Sequence, residues 1–208
     1  ARAMRGCAAA QADIVVLAIK PQRMEKVVSE LKGAIQADAF ILSIIAGASI
    51  KKIARLSGHE RIVRCMPNTP AQIGEGITVW TASTQVSEAQ RQMTCAFLNA
   101  FGKEIFVEEE DYLDKATALS GTGPAYVYLF MEAMVDAGVH LGFPRRIAER
   151  LVIETLRGSV DYYDDGKSES KHLASLRNQV TSPGGTSAEA LYYLEKAGFR
   201  TAISRAIW

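Results

Sequence analysis

The clearest chemical pattern in the sequence lies at residues 179–187, which read Gln-Val-Thr-Ser-Pro-Gly-Gly-Thr-Ser. Pro183 and the two glycines after it predict a rigid bend followed by permissive backbone, and a helix is predicted to begin near Ala188. The free backbone N–H groups of residues 184–187, together with the dipole of that helix, would form an anion site. A substrate carboxylate suits such a site.

An alternative interpretation of the same segment needs no ligand. Thr186 and Glu189 match a capping box, in which two side chains satisfy donors at the first turn of a helix. Without further context, a well-capped helix start is the simpler explanation of this segment.

A second group of candidate residues follows three predicted strands. Apolar, β-branched runs at 12–19, 40–45 and 62–66 predict strands buried on both faces and therefore parallel. Ligands of open parallel sheets bind beyond the carboxyl ends of the strands. Small residues there would let a flat ring approach the backbone. The three ends read Ala-Ile-Lys-Pro at 18–21, Ile-Ile-Ala-Gly at 44–47 and Pro-Asn-Thr at 67–69. Taken singly, each end is explained at least as well by an ordinary strand-to-helix turn.

The glycine-rich turn that usually holds a dinucleotide pyrophosphate is not found in the sequence. The nearest match, Gly121-Thr122-Gly123, has Tyr126 in place of the third glycine and lies between two predicted helices, so it is rejected. Either the protein binds no dinucleotide, or the first strand–helix–strand unit lies upstream of residue 1. The second explanation is favoured, because the chain starts immediately before a strand typical of the middle of a sheet.

The pattern of elements predicts two domains. Residues 1–110 read as an amino-terminally truncated, doubly wound parallel sheet of the Rossmann type, completed by strands at 77–80 and 104–107. Residues 111–208 contain only helical patterns and read as an all-α domain. The predicted helices are 21–35, 50–56, 87–101, 112–119, 124–141, 144–163, 171–178 and 188–197.

One predicted helix indicates self-association. Residues 125–135 are apolar almost all round, with Glu132 as the main exception, so every face of this helix must be buried. A bundle of this size encloses such a helix poorly. Burial between two subunits is therefore favoured over a central position in one small bundle.

Other polar clusters predict no further site. Glu132, Asp136 and His140 share one helix face, but these mixed ligands have no fourth partner nearby. A polar stripe is the favoured interpretation, and no metal site is expected.

Composition sets outer limits on function. The 208 residues are 48% hydrophobic and 23% charged, with a net charge of +1. This balance offers no field for nucleic acid or an anionic membrane, and no apolar run reaches the roughly 20 residues that a membrane span needs. Cys7, Cys65 and Cys95 are widely spaced, which favours reduced thiols and a cytoplasmic location.

Taken together, these segments resemble the pyrroline-5-carboxylate reductase family. The matching stretches run in order along nearly the whole chain, and the last of them is similar to the family's signature segment. They are ADIVVLAIKPQ at 12–22, RCMPNTPAQIGEG at 64–76, ALSGTGPAYVY at 118–128, AGVHLGFPRR at 137–146 and QVTSPGGTSAEALYYLE at 179–195.

The resemblance implies reduction of 1-pyrroline-5-carboxylate to L-proline by NADPH or NADH in a homodimer or higher homo-oligomer. It implies substrate contacts from the glycine-rich turn, with the hydroxyl of Thr186 or Ser187 near the ring nitrogen. The implied substrate residues are Gly184, Gly185, Thr186 and Ser187. The implied cofactor residues are Ala18, Ile19, Lys20, Pro21, Ile44, Ile45, Ala46, Asn68 and Gln179.

Three departures from the family pattern and two alternatives remain. The glycine-rich unit is missing, Ile44-Ile45 is bulkier than expected, and Ser187 replaces a threonine. One alternative is another two-domain dehydrogenase, such as one acting on β-hydroxy acids. That reaction is expected to need a catalytic lysine at the start of the long helical region, but Thr122 and Tyr126 are found there instead. The other alternative is an inactive dimerising fragment.

Overall fold

The computed structural model describes residues 8–164 and 172–208, and its contacts divide the chain into two compact units that separate after Pro124. The unit before this point holds the sheet, and the unit Ala125–Trp208 is helical. The domain boundary near residue 110 remains a prediction.

The first unit is built on a five-stranded sheet with the order β1-β2-β3-β4-β5. The pairs β1–β2, β2–β3 and β4–β5 are parallel, whereas β3 and β4 are antiparallel. The predicted Rossmann-like, mainly parallel sheet is therefore confirmed, with one reversed strand added. The strands are β1 Ile14–Leu17, β2 Phe40–Ser43, β3 Ile62–Met66, β4 Gly76–Ala82 and β5 Gly102–Phe106.

Helices cover both faces of this sheet. Alternate residues of a strand point to opposite faces, so β2 and β3 each contribute to two apolar cores. One core joins Ile41 and Ile62 to helices α1 and α2, and the other joins Leu42 and Val63 to helix α3. The helices of this unit are α1 Met24–Ser29, α2 Ile50–Ser57, α3 Glu88–Asn99 and α4 Tyr112–Ala116, with 3-10 turns at Pro21–Arg23 and Thr69–Ile73.

Local sequence explains where these helices begin and end. The Ser49 hydroxyl caps α2 by accepting from the Lys52 N–H at 3.2 Å, and Gly58 ends the helix with a left-handed φ of 68°. The helix predicted at 21–35 is shorter in the structure, since α1 ends at Ser29. Gly33, with a φ of 74°, adopts a conformation that does not continue a right-handed helix.

The second unit contains α5 Gly123–His140, whose first two residues precede the division, α6 Arg145–Tyr163, α7 Leu173–Gln179, α8 Thr186–Lys196 and α9 Phe199–Ile207. Helix α9 was not predicted. The helix predicted at 112–119 is α4 followed by a π-helical turn, Thr117–Gly121. The start predicted at residue 171 lies outside the described residues.

The described part of the helical unit has a small core. Val135, Ala148 and Val152 are buried, with Met131, Met134 and Leu156 packed against them. Most apolar side chains of α5 are instead exposed, including Tyr128 at 60% and Leu129 at 67%. A face of this kind is typical of a surface that associates with another chain. Across the described residues, no helix is long and apolar enough to cross a membrane.

Candidate active site

The carboxyl ends of β1, β2 and β3 lie along one edge of the sheet, because these three strands are parallel. The predicted cofactor residues that follow them in the sequence are therefore brought together there. Ala18 and Lys20 are exposed after β1, and Pro21 begins the adjoining 3-10 turn. The structure thus gathers the residues of this sheet into one row at the place where open α/β sheets bind ligands.

The turn after β2 leaves space for a flat group. Ala46 and Gly47 are exposed, and a β-carbon placed on Gly47 would meet no heavy atom within 4 Å. Gly47 has a φ of 68°, so glycine is required there for its backbone as well. These features fit a nicotinamide cofactor that approaches the backbone.

Ile44 and Ile45 can contribute to this edge only through their backbones. Ile45 is buried in the core under α1 and α2, and Ile44 packs against the core on the opposite face. Their bulk, which departs from the family pattern, is therefore accommodated in the two cores. Any contact that these two residues make with a cofactor would use backbone atoms.

Asn68 is partly committed to the fold. Its side-chain oxygen accepts a hydrogen bond from the Ile77 N–H at 3.0 Å, at the start of β4. The other end of the side-chain amide, its NH2 group, carries two donors that this bond does not use. Asn68 can therefore offer two N–H donors to a ligand, while its side-chain oxygen holds the start of β4.

The turn before α8 presents unpaired donors. Within the described part of the chain, the backbone N–H groups of Gly184, Thr186 and Ser187 make no hydrogen bond. The Gly185 N–H donates to the Ser182 carbonyl at 3.1 Å, which closes the turn. The positive end of the α8 dipole adds to these donors, so the turn is suited to an anion such as a carboxylate.

The predicted capping box at this turn is wrong. Gly185 is the N-cap residue and no side chain caps the helix, since α8 begins at Thr186, earlier than expected. In the described chain, the hydroxyls of Thr186 and Ser187 make no hydrogen bond. Both hydroxyls are therefore available to a ligand. Gln179, at the end of α7, is exposed.

The segment Gly121-Thr122-Gly123 is not a phosphate loop. It joins a π-helical turn to α5, and Thr122 donates to the Thr117 carbonyl through both its N–H and its hydroxyl, each at 2.9 Å. A β-carbon on Gly121 would lie 2.7 Å from the end of the Met66 side chain. That atom is the free end of a flexible side chain, so Gly121 packs closely against the end of β3 without being required there.

A charged cluster around the buried Arg64 in the first unit was not predicted from the sequence. The Arg64 side chain, only 5% exposed, donates to Glu110 Oε1 at 2.9 Å and to Asp114 Oδ1 at 2.6 Å. An arginine within the otherwise apolar strand 62–66 was a usable signal, because a buried guanidinium needs charged partners. Its acidic partners could not be identified from sequence spacing, since they lie 46 and 50 residues away.

On α5, the polar residue Asp136 forms an ion pair with the neighbouring helix α6. Asp136 accepts from Arg145 at 2.8 Å. Across residues 8–164 and 172–208, no group of three or more His, Cys, Asp or Glu side chains is placed to hold a metal ion. Burial raises the pKa of Cys65, and partial burial together with the nearby Glu104 carboxylate raises the pKa of Cys95.

Two family models match the chain in separate regions. One described as pyrroline-5-carboxylate reductase dimerisation matches residues 110–208, and one described as NADP oxidoreductase coenzyme F420-dependent matches residues 1–47. Among curated relatives, the pyrroline-5-carboxylate reductase of Synechocystis is 38% identical over 200 residues, covering 96% of this chain and 73% of the relative. That of Pseudomonas aeruginosa is 39% identical over 201 residues, covering 96% and 72%.

Solved structures give the same result. The Plasmodium falciparum pyrroline carboxylate reductase with NADP bound superposes with a TM-score of 0.91 and 35% identity, covering 98% of this chain and 76% of that one. The Coxiella burnetii pyrroline-5-carboxylate reductase gives a TM-score of 0.85 and 35% identity, covering 98% and 75%.

The sheet edge and the helical unit define a nicotinamide-dependent oxidoreductase with a helical oligomerisation domain. Within this class of oxidoreductase, the similar relatives and solved structures are pyrroline-5-carboxylate reductases. The chain belongs to the pyrroline-5-carboxylate reductase family.

Proposed function

We propose that the chain reduces 1-pyrroline-5-carboxylate to L-proline, with NADPH or NADH as the reductant. The turn at 183–187 carries this conclusion. It combines three unpaired backbone N–H groups, a helix dipole and two free hydroxyls in a member of the family. This set can bind the ring carboxylate of a cyclic imino acid.

This reaction does not require a strongly acidic or basic side chain in the protein. NADPH or NADH, when bound, would supply a hydride for the carbon of the protonated C=N bond, and the nitrogen would keep its proton as the bond becomes a C–N single bond. The protonated imine is already electrophilic, so a strong general acid is unnecessary. Orientation is then the main contribution of the protein, and it is worth up to about 7–11 kcal/mol in favourable cases.

The roles proposed for the turn follow from its donors. The N–H groups of Gly184, Thr186 and Ser187 bind the carboxylate, and Gly185 keeps the turn closed. The hydroxyl oxygen of Thr186 or Ser187 accepts a hydrogen bond from the N–H group of the protonated ring nitrogen. These two residues are accordingly the proposed catalytic residues, because they touch the reacting group.

The cofactor is proposed to lie along the sheet edge. Backbone atoms of Ala18, Ile44 and Ile45 line that edge, together with exposed Ala46 and the free amide donors of Asn68. Ile19, Lys20 and Pro21 continue the edge after β1. Gln179 remains a proposed cofactor contact on the strength of the family resemblance.

The family match to a dimerisation domain supports homo-oligomerisation. We propose a homodimer that buries the exposed apolar face of α5, in which each subunit completes the core of the other. The small net charge of +1 supports a small-molecule substrate, with neither nucleic acid nor membrane as a partner. A cytoplasmic location is proposed from the unpaired cysteines.

Steady-state kinetics test the proposed reaction. The purified full-length protein is assayed for NADPH and NADH oxidation with 1-pyrroline-5-carboxylate, and in parallel with a β-keto acid. Turnover of the cyclic imine alone is expected. Turnover of the β-keto acid alone would show that this is a different two-domain dehydrogenase.

A further inference from the structure

A row of buried polar residues crosses the middle of the sheet. Arg64 on β3 pairs with Ser43 on β2 and with Thr81 on β4, and all three residues are buried. Residues paired across strands share one face of a sheet, so these side chains form a polar layer on one side. Burying a charged side chain at the centre of a sheet costs free energy that an apolar side chain would not cost, so Arg64 needs charged or polar partners there.

The Arg64 guanidinium holds an acidic side chain in place. Glu110 precedes α4, and its Oε1 atom accepts from Arg64 Nη1 at 2.9 Å. The same oxygen accepts from the backbone N–H of Ile50 at 2.8 Å. One carboxylate oxygen thus joins the centre of the sheet to the first residue of α2.

The Ile50 N–H belongs to the turn that follows β2. Residues 46–49 of this turn are held at both ends. Strand β2, which is paired on both sides, holds the start of the turn, and the Glu110 carboxylate holds its end through the Ile50 N–H. A carboxylate at the start of a helix is also favoured by the helix dipole. The exposed residues Ala46 and Gly47 lie between these two fixed points.

We infer that Arg64 and Glu110 are positioning residues for the cofactor: the guanidinium orients the carboxylate, and the carboxylate sets the backbone of the turn at 46–49. The inference rests on the proposed function, in which this turn lines the nicotinamide cofactor. Neither residue is proposed to touch the cofactor.

Asp114 provides a matched control. It also accepts from Arg64, at 2.6 Å, but its side chain is 65% exposed and none of its hydrogen bonds reaches the turn. Asp114→Ala therefore removes one negative charge and one ion pair from the same guanidinium without changing the Ile50 contact. Glu110→Ala removes a negative charge, an ion pair with Arg64 and also the hydrogen bond from the Ile50 N–H.

The test measures NADPH binding by fluorescence titration of the full-length enzyme, well below the melting temperature of each variant. Glu110→Ala should weaken NADPH binding about tenfold. Glu110→Gln keeps an oxygen acceptor for the Ile50 N–H and should therefore bind NADPH nearly as tightly as wild type. Asp114→Ala should stay within roughly twofold of wild type, as is usual for exposed ion pairs.

A second pair of variants approaches the same bond from the donor side. Ile50 is the first residue of α2, a position that accepts proline, and Ser49 already has the extended backbone that a following proline requires. Ile50→Pro deletes only this N–H donor and the original side chain, and Ile50→Ala deletes the side chain alone. Ile50→Pro should weaken NADPH binding about tenfold relative to Ile50→Ala.

The KM for 1-pyrroline-5-carboxylate at saturating NADPH should be unchanged in these variants, whereas damage that reached the substrate turn would raise it. Equal weakening by Glu110→Ala and Asp114→Ala would overturn the inference, as would identical binding by Ile50→Pro and Ile50→Ala. Because NADPH binding is measured without the imino acid, a wild-type enzyme that does not reduce 1-pyrroline-5-carboxylate would refute the proposed reaction and leave this test intact.

Discussion

A β-carbon added to Gly185 would lie 2.5 Å from the Ser182 hydroxyl oxygen and 3.2 Å from the Ser182 carbonyl oxygen. One added to the neighbouring Gly184 would meet no heavy atom within 4 Å, but Gly184 has a φ of 70°. The two glycines of the turn are therefore needed for different reasons. Gly185 allows a close approach to Ser182, and Gly184 allows a left-handed backbone.

The first prediction separates packing from ligand binding at Gly185. Gly185→Ala should lower the melting temperature and raise the KM for 1-pyrroline-5-carboxylate roughly tenfold, equivalent to about 1.4 kcal/mol. Ser182→Ala removes the nearest obstructing atom, so the double variant should regain melting temperature without regaining the KM. Kinetics and thermal melts of the two single variants and the double variant make the comparison. Recovery of both quantities would reduce Gly185 to a packing role.

The second prediction concerns the two hydroxyls after that glycine. Neither caps α8, so Thr186→Ala and Ser187→Ala should leave the melting temperature nearly unchanged. The variant that removes the contact with the ring nitrogen should lose about 1–3 kcal/mol of transition-state stabilisation in kcat/KM. A melting temperature lowered in the Thr186 variant, beside wild-type kinetics in both, would return this segment to a capping role.

The third prediction concerns assembly through α5. Leu129 is 67% exposed on this helix, and a glutamate there would carry a charge into a buried apolar interface. Leu129→Glu should therefore dissociate the oligomer at micromolar concentration, as measured by sedimentation velocity. Met93→Glu makes the same kind of change on the exposed side of α3 and serves as control. Unchanged sedimentation of the Leu129 variant would contradict the proposed interface.

The fourth prediction concerns the thiols. Burial raises the pKa of Cys65, so this residue holds a neutral thiol at neutral pH, and its sulfur is shielded from solvent. Iodoacetamide at pH 8 should label Cys65 only as fast as the protein unfolds, whereas half-buried Cys95 should react sooner. Site-resolved mass spectrometry of native and urea-unfolded protein gives both rates. Equal labelling of the two residues in the native protein would contradict the assignment of Cys65 to the core.

The sheet and its edge were predictable because they depend on local patterns. The apolar run at 62–66 coincides with β3, and the strand ends that carry Ala18 and Ala46 do fall on one edge. The direction of β4 was not predictable, because an apolar alternation has the same appearance in parallel and antiparallel strands. The motif at 183–187 was found, although its capping geometry was not.

The Arg64–Glu110 contact illustrates what sequence cannot supply. Arg64 stands out in an apolar strand, but its partner lies 46 residues away and contacts it only once β3 and α4 have packed. The bond from Glu110 to the Ile50 N–H is more remote still, since a backbone donor leaves no mark in the sequence. Long-range polar contacts of this kind require the folded structure.

The most direct test of the proposed reaction follows the hydride itself. The full-length enzyme is incubated with 1-pyrroline-5-carboxylate and NADPH that carries deuterium at the transferable position of the nicotinamide, and the product is analysed by NMR and mass spectrometry. The account predicts L-proline with one deuterium on the ring carbon next to nitrogen that was the imine carbon. Unlabelled proline, or no proline while the cofactor is oxidised, would contradict direct hydride transfer to this imine.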